Sequence, residues 1–132
     1  LEDPSDDVVS ENFYWFSTKP ETLEWDKGNW YTTPTKTFAD YTALQSLPPA
    51  PLKVQATSKA GSTTVLVTNP GKTLAFAVRM KLVRDTDKVE VLPVLWEDNY
   101  FTLLPGQSRQ ISATYAAKDL GNAKAAVTAE AW

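Results

Sequence analysis

The chain has 132 residues, the size of a single domain, and a formal charge of −3. Because it contains no histidine and no cysteine, Ser–His and Cys–His nucleophiles and imidazole or thiolate zinc sites are excluded, and we expect no cofactor and no metal. Scattered basic residues, and the lack of any run of ~18–20 apolar residues, predict neither a nucleic-acid nor a membrane partner.

The first predicted region, residues 1–50, is rich in aromatic side chains. It contains "ENFYWFS" (11–17), a strand-like run in which neither face is polar. A long stretch without a period of 2 or 3.6 follows it, and this stretch carries further aromatic residues: Trp25, Trp30, Tyr31, Phe38 and Tyr41. A loop of this length is normally functional or packed against another surface. We therefore predict an N-terminal strand followed by a long aromatic segment that wraps or docks.

Residues 51–132 alternate between apolar and polar side chains in several short runs. In "LAFAVRMKLV" (74–83) the alternation predicts a half-buried strand whose inward face includes Phe76, Val78 and Met80. The same period recurs in four other runs: "LKVQATS", "TTVLVTN", "RQISATY" and "KAAVTAEAW". Strands therefore dominate this region.

Turn signals separate these runs. "NPGK" (69–72) and "LPGQ" (104–107) place Pro before Gly and predict type II turns, because Pro fixes φ and Gly accepts a positive φ. "AAKDLG" (116–121) predicts one helical turn that ends at Gly121. About seven short antiparallel strands joined by such turns are typical of an immunoglobulin-like β-sandwich. We predict an all-β fold of this kind, a single domain over residues 1–132.

The stretch "VLPVLWEDNYFTLLPG" (91–106) predicts two strands around a polar corner. Pro93 cannot donate to a ladder, so its strand lies at an edge or is bulged. Glu97, Asp98 and Asn99 are expected to satisfy backbone donors at the corner. Adjacent carboxylates such as Glu97 and Asp98 point to opposite faces of a strand, which disfavours a glycosidase pair. An alternative function remains, in which the corner faces a substrate cleft and Trp96 lines it.

Much of the chain resembles the C-terminal immunoglobulin-like domain of glycoside hydrolase family 2 enzymes of the exo-β-D-glucosaminidase type. The resemblance is in register over nearly the whole chain. Five stretches carry it: "NFYWFS", "LEWDKGNWYTTP", "FADYTALQSLPP", "VTNPGKTLAFAVRMKLVR" and "EVLPVLWEDNYFTLLPGQSRQISATY". A related domain ends plant-type endo-β-mannosidases and some β-mannosidases, so a β-mannosidase-type parent is the alternative.

The resemblance implies a large, secreted, extracellular enzyme that removes glucosamine from the non-reducing ends of chitosan and its oligomers by a retaining double displacement. It also implies that the two catalytic glutamates of that enzyme lie in a (β/α)8 barrel domain, so no catalytic residue is carried over onto this sequence. The chain is then expected to be a non-catalytic accessory domain that packs on the other domains of its parent.

The aromatic residues leave two interpretations open. Trp25, Trp30, Tyr31 and Trp96 are candidate contacts either with a neighbouring domain of the parent or with a sugar such as a chitosan oligosaccharide. The sugar-binding interpretation draws support from potential hydrogen-bonding neighbours: Asp26, Lys27 and Asn29. A third interpretation, an independent enzyme, is disfavoured by the missing catalytic groups.

Overall fold

The computed structural model describes residues 4, 5, 9 and 13–132. The first two residues of the predicted strand at 11–17 therefore lie outside the described residues. By its internal contacts the chain divides into two compact units, Leu1–Ser46 and Leu47–Trp132, and each is described by itself. That residues 1–132 form a single domain stays a prediction. No helix among the described residues is both long enough and apolar enough to cross a membrane.

The first unit is built around a short hairpin. Strand β1 (Thr22–Leu23) pairs antiparallel with strand β2 (Thr35–Thr37), and the unit also contains two short 3-10 helices, Trp25–Lys27 and Thr42–Ser46. The hydroxyls of Thr22 and Thr37 form a hydrogen bond of 2.5 Å across the pair. Residues 13–17, the described part of the aromatic run, do not form a strand, so the prediction of a strand there was wrong.

The second unit contains seven antiparallel strands in two sheets. The four-stranded sheet has the order β3-β4-β8-β6 and the three-stranded sheet the order β7-β5-β9. This confirms the predicted immunoglobulin-like sandwich. The strand bounds are β3 Lys53–Lys59, β4 Ser62–Thr68, β5 Ala75–Arg84, β6 Val94–Trp96, β7 Phe101–Leu103, β8 Ser108–Tyr115 and β9 Ala125–Glu130.

The core lies between the two sheets, and alternation predicted much of it. Val65 and Val67 of β4 and Ile111 of β8 are fully or almost fully buried. They pack against residues of the opposite sheet that include Val78 and Met80.

Two further predictions are confirmed. Strand β6, which follows Pro93, lies at a sheet edge. The 3-10 helix Ala117–Leu120 ends at Gly121, which has a φ of 59°.

Strand β5 departs from the predicted faces at its beginning. Ala77 has a φ of 46°, and the pairing of β5 with β7 shifts between Ala75 and Val78. This bulge adds one residue and reverses the faces on its N-terminal side. Ala75 is therefore fully buried, while Leu74 and Phe76 are only half-buried. The assignment of Phe76 to the inward face was wrong, whereas that of Val78 and Met80 is confirmed.

The two predicted type II turns have different outcomes. Gly106 has a φ of 81°, as a type II turn requires, but Gly71 is not among the glycines with positive φ. Space around Gly71 is tight, because a Cβ there would lie 3.1 Å from the Cδ of Pro51. Next to it, the buried Asn69 donates from Nδ2 to the carbonyls of Thr73 (2.8 Å) and Leu103 (3.1 Å) and accepts from the Gly71 N–H at 3.1 Å.

Candidate functional site

The hairpin of the first unit presents a tip, residues 24–33, that contains three of the four candidate residues. The Glu24 N–H donates to the Pro34 carbonyl at 2.9 Å and closes the tip at its base. Asn29 shapes the loop, because its Oδ1 accepts from the N–H groups of Tyr31 (2.8 Å) and Thr32 (3.0 Å). Such side-chain bonds fix a turn locally, without help from a larger core.

The aromatic side chains of the hairpin tip point to solvent. Trp25 is 74% exposed, Trp30 92% and Tyr31 89%. Lys27 and Asn29, two of the three predicted sugar-binding neighbours, have structural partners. Lys27 Nζ lies 2.8 Å from Glu24 Oε1, and Asn29 Oδ1 holds the turn. The structure thus brings the three exposed rings onto one hairpin.

A second group of exposed aromatic residues lies in the same unit and was missing from the candidates predicted from sequence. Phe16 is 87% exposed and Phe38 83%. In the run before Phe16, the rings of Phe13 and Trp15 make an edge-on contact with centroids 5.0 Å apart. The absence of a polar face in this run is the sequence signal that points to Phe16.

Polar contacts hold the segments that carry these rings. Ser17 Oγ donates to the Asp40 carbonyl at 2.6 Å, and the Asp40 N–H donates to the Lys19 carbonyl at 3.1 Å. The side chain of Thr42 donates a hydrogen bond to the Asp40 carboxylate, which lowers the pKa of Asp40 below its usual value. Residues 17–19 are thereby tied to residues 40–42.

Trp96, the fourth candidate, lies in the other unit. It is half-buried in strand β6 and packs against both hydrophobic clusters of the sandwich, one that contains Val78 and one that contains Leu82. Leu95, its neighbour on the opposite face of the edge strand, is 73% exposed. Packing in the core explains a tryptophan at position 96, and its contact with a sugar or another domain stays a prediction.

The carboxylates of the "WEDN" corner have structural partners. Glu97 Oε2 accepts from the Ser112 N–H at 3.1 Å, and Asp98 Oδ2 lies 2.6 Å from a guanidinium nitrogen of Arg109. The Asn99 N–H donates to Asp98 Oδ1 at 2.7 Å. The prediction that this corner satisfies backbone donors is confirmed, and one of the donors belongs to a different strand.

Two further features bear on binding. Within the described part of the chain, no group of three or more acidic, histidine or cysteine side chains could hold a metal ion. The sandwich has a cleft of about 350 Å³ along edge strand β3. Ala56 and Ser58 of this strand face inward but are exposed to solvent in the cleft. Lys59 and Lys124 also line this cleft.

Comparison with known proteins points to one group of enzymes. A family model described as the exo-β-D-glucosaminidase Ig-fold domain matches residues 30–132. The exo-β-D-glucosaminidase of Streptomyces avermitilis is 38% identical over 139 residues, covering 100% of this chain and 15% of the relative. The Amycolatopsis orientalis enzyme is 40% identical, covering 100% of this chain and 13% of the relative.

A solved structure of such an enzyme is also similar to this chain. The crystal structure of the exo-chitosanase CsxA of Amycolatopsis orientalis matches with a TM-score of 0.75 and 38% identity. The match covers 99% of this chain and 16% of that one. The chain therefore spans a small part, between 13 and 16%, of the relatives described here.

Proposed function

Since the chain belongs to the family of exo-β-D-glucosaminidase Ig-fold domains, we propose that it is a non-catalytic accessory domain of a longer glycosidase. The parent in this proposal is a secreted, retaining enzyme of glycoside hydrolase family 2 that removes glucosamine from chitosan and its oligomers. One observation carries the proposal: the whole chain matches only 15% of the length of an exo-β-D-glucosaminidase.

The chemistry of the chain supports a non-catalytic role. A retaining glycosidase needs two carboxyl groups about 5–5.5 Å apart that flank a sugar. The two adjacent carboxylates of the corner, Glu97 and Asp98, instead bind the Ser112 N–H and the Arg109 guanidinium. These contacts give both carboxylates a structural role at the corner.

The aromatic run supports packing on other domains of the parent. No charged residue lies between Glu11 and Lys19, and the centres of protein interfaces are depleted of charge and enriched in aromatic residues. Phe16 and Phe38 expose more than four-fifths of their surface, and exposed large apolar side chains that are not merely scattered mark protein–protein contacts. We assign these two rings to the contact with a neighbouring domain.

Substitution in two contexts tests this assignment. In the longer enzyme, Phe16→Ser and Phe38→Ser should lower the midpoint of thermal unfolding, because they remove apolar area from the contact. In the chain of 132 residues alone, the same changes should leave the midpoint unchanged, since both side chains are exposed there. Val89→Ser, at a half-exposed turn position of the sandwich, is the matched control. Equal midpoints for both variants and wild type in the longer enzyme would contradict the packing proposal.

A further inference from the structure

Strand β9 is paired on one side only. It lies at the edge of the three-stranded sheet, and β5 is its partner among the described strands. Just before β9, the Lys124 carbonyl accepts from the Asp85 N–H at 3.0 Å. Just after it, the Trp132 N–H donates to the Phe76 carbonyl at 2.8 Å. Because backbone groups of an antiparallel strand alternate in direction, the even-numbered residues of β9 bond to β5 and the odd-numbered ones point away from it.

The bonds of Met80 in β5 indicate the same direction. Met80 lies opposite Ala129, and its N–H and carbonyl are bonded to the Asn99 amide, on the side of β5 away from β9. Opposite residues of an antiparallel pair either bond to each other or both point away. The N–H and carbonyl of Ala129 therefore face the open edge, and by alternation so do those of Val127.

Each of the other three sheet edges carries a feature that hinders pairing with a further strand. Strand β3 has Lys53 and Lys59 at its ends, β6 follows Pro93, and β6 and β7 have 3 residues each. Lysine, proline and short length are devices that keep an edge from pairing. Residues 125–129 of β9 contain neither a charged residue nor a proline. The edge of β9 is thus the one most open to an added strand.

The inward side chains along this edge leave room for those of another strand. Ala125, Val127 and Ala129 are no larger than valine and are only half-buried. Ala125 and, on the opposite sheet, Ser58 line the cleft of about 350 Å³. By contrast, Met80 on the adjacent strand β5 is 1% exposed. The interior of the sandwich is therefore closed at β5 and open at β9.

We propose that an extended segment of the longer enzyme, outside these 132 residues, pairs with the open edge of β9. Addition of a strand to a sheet edge is a recognition mode in which backbone hydrogen bonds supply affinity and alternate side chains enter pockets. The lining of the cleft includes Ala56, Tyr115 and Leu120, so the segment carries apolar residues at the alternate positions that face it. The chain spans only 13–16% of its relatives, which leaves most of such an enzyme to supply the segment. This choice of partner rests on the proposed function.

Hydrogen exchange at single amides tests the pairing in two contexts. In the 132-residue chain alone, the N–H groups of Val127 and Ala129 should exchange fast, whereas those of Ala126 and Thr128, which face β5, should be protected. In the longer enzyme, exchange at Val127 and Ala129 should slow by at least about tenfold. Equal exchange at these two amides in both contexts would overturn the proposal. Slow exchange already in the chain alone would also overturn it, because this chain or a second copy would then cover the edge.

A pair of variants separates backbone pairing from simple burial. Ala129→Pro removes the N–H that faces the open edge, and proline is tolerated on an edge strand where that N–H has no partner strand. Ala129→Ser keeps the N–H in a residue of similar size and is the matched control. The difference between the two variants in the midpoint of thermal unfolding should be larger in the longer enzyme than in the chain alone. An equal difference in both contexts would contradict pairing at β9.

The result is independent of the other tests of the accessory role. Docking of Phe16 and Phe38 is measured with substitutions in the first unit, and glucosamine release is measured as activity. A failure at β9 therefore leaves the proposed function standing, and a failure of the proposed function appears in those assays.

Discussion

The side chain of Asn99 completes the ladder of strand β5 opposite Met80. The Met80 N–H donates to Asn99 Oδ1 at 2.8 Å, and Asn99 Nδ2 donates to the Met80 carbonyl at 3.1 Å. In the register that pairs Val78 with Phe101, residue 99 lies opposite residue 80. The backbone leaves this register at Tyr100, which has a φ of 60°. The amide of Asn99 thereby replaces the two backbone groups that the corner removes from the sheet.

Removal of this amide should destabilise the sandwich. Asn99→Ala leaves the N–H and carbonyl of Met80, a residue that is 1% exposed, without their partners. An unsatisfied buried group costs about 1–3 kcal/mol, so we expect a loss of that order in the free energy of unfolding, measured in urea. Asn122→Ala, at an exposed position, is the control and should have almost no effect. Equal stability of the two variants would mean that water satisfies Met80.

The bulge at Ala77 predicts different costs for the substitution of two apolar residues of β5, Phe76 and Met80. Met80→Ala should cost about 2–5 kcal/mol, because the side chain is 1% exposed in the main core. Phe76→Ala should cost clearly less, although Phe is the larger residue, because the bulge moves Phe76 to the outer face. Denaturation midpoints of the two variants give the comparison. A larger loss for Phe76→Ala would place Phe76 in the core and refute the bulge.

Asn69, which is fully buried, joins two chain segments, residues 69–73 and 103–107. Its side chain bonds to Thr73, Leu103 and Gly71, and its carbonyl accepts from the Gly106 N–H at 2.8 Å. Asn69→Ala should therefore cost at least 1–3 kcal/mol, roughly the penalty of one unsatisfied buried group. Hydrogen exchange should show faster exchange at Gly71. Unchanged exchange there would mean that the Gly71 N–H has another acceptor.

The pH dependence of stability follows from Glu130. The pKa of Glu130 lies below its usual value of 4.5, because Lys81 donates a hydrogen bond to it and adds its positive charge, and Arg79 adds a weaker attraction. A carboxyl group whose pKa is lowered by folding stabilises the fold above its unfolded pKa, and this contribution is lost as the pH falls through the folded pKa. We expect thermal midpoints to fall as the pH decreases below about 4.5. Glu130→Gln should reduce this slope, and an equal slope in the variant would assign it to other carboxylates.

Alternation predicted the strands whose inward residues repeat without interruption. Val65, Val67 and Ile111 are examples, because side chains on a paired strand alternate by geometry. The bulge at Ala77 could not be predicted from the sequence, because apolar and polar residues still alternate in "LAFAVRMKLV" while the backbone register shifts by one residue. The pairing of Asn99 with Met80 likewise depends on a register between segments that are distant in sequence. Local patterns do not encode such a register.

The candidate site was predictable in part. The number of aromatic residues in residues 13–41 indicated a surface that needs a partner, and Trp25, Trp30 and Tyr31 are indeed exposed. Composition could not indicate that Lys27 is neutralised by Glu24 or that Asn29 holds the turn, because both depend on the path of the loop. Phe38 was named in the aromatic segment but was left out of the four candidate contacts, because composition could not indicate which of the rings are exposed.

The most direct test of the central claim, that the chain supports a glycosidase without performing its chemistry, is an assay of glucosamine release from chitosan oligomers. The folded 132-residue chain should release no more glucosamine than a sample without protein, at any pH between 4 and 8. The longer enzyme, assayed in parallel, should release it readily. Release by the chain alone that disappears in Glu97→Gln would contradict the account, because it would place a catalytic carboxylate in the corner that we describe as structural.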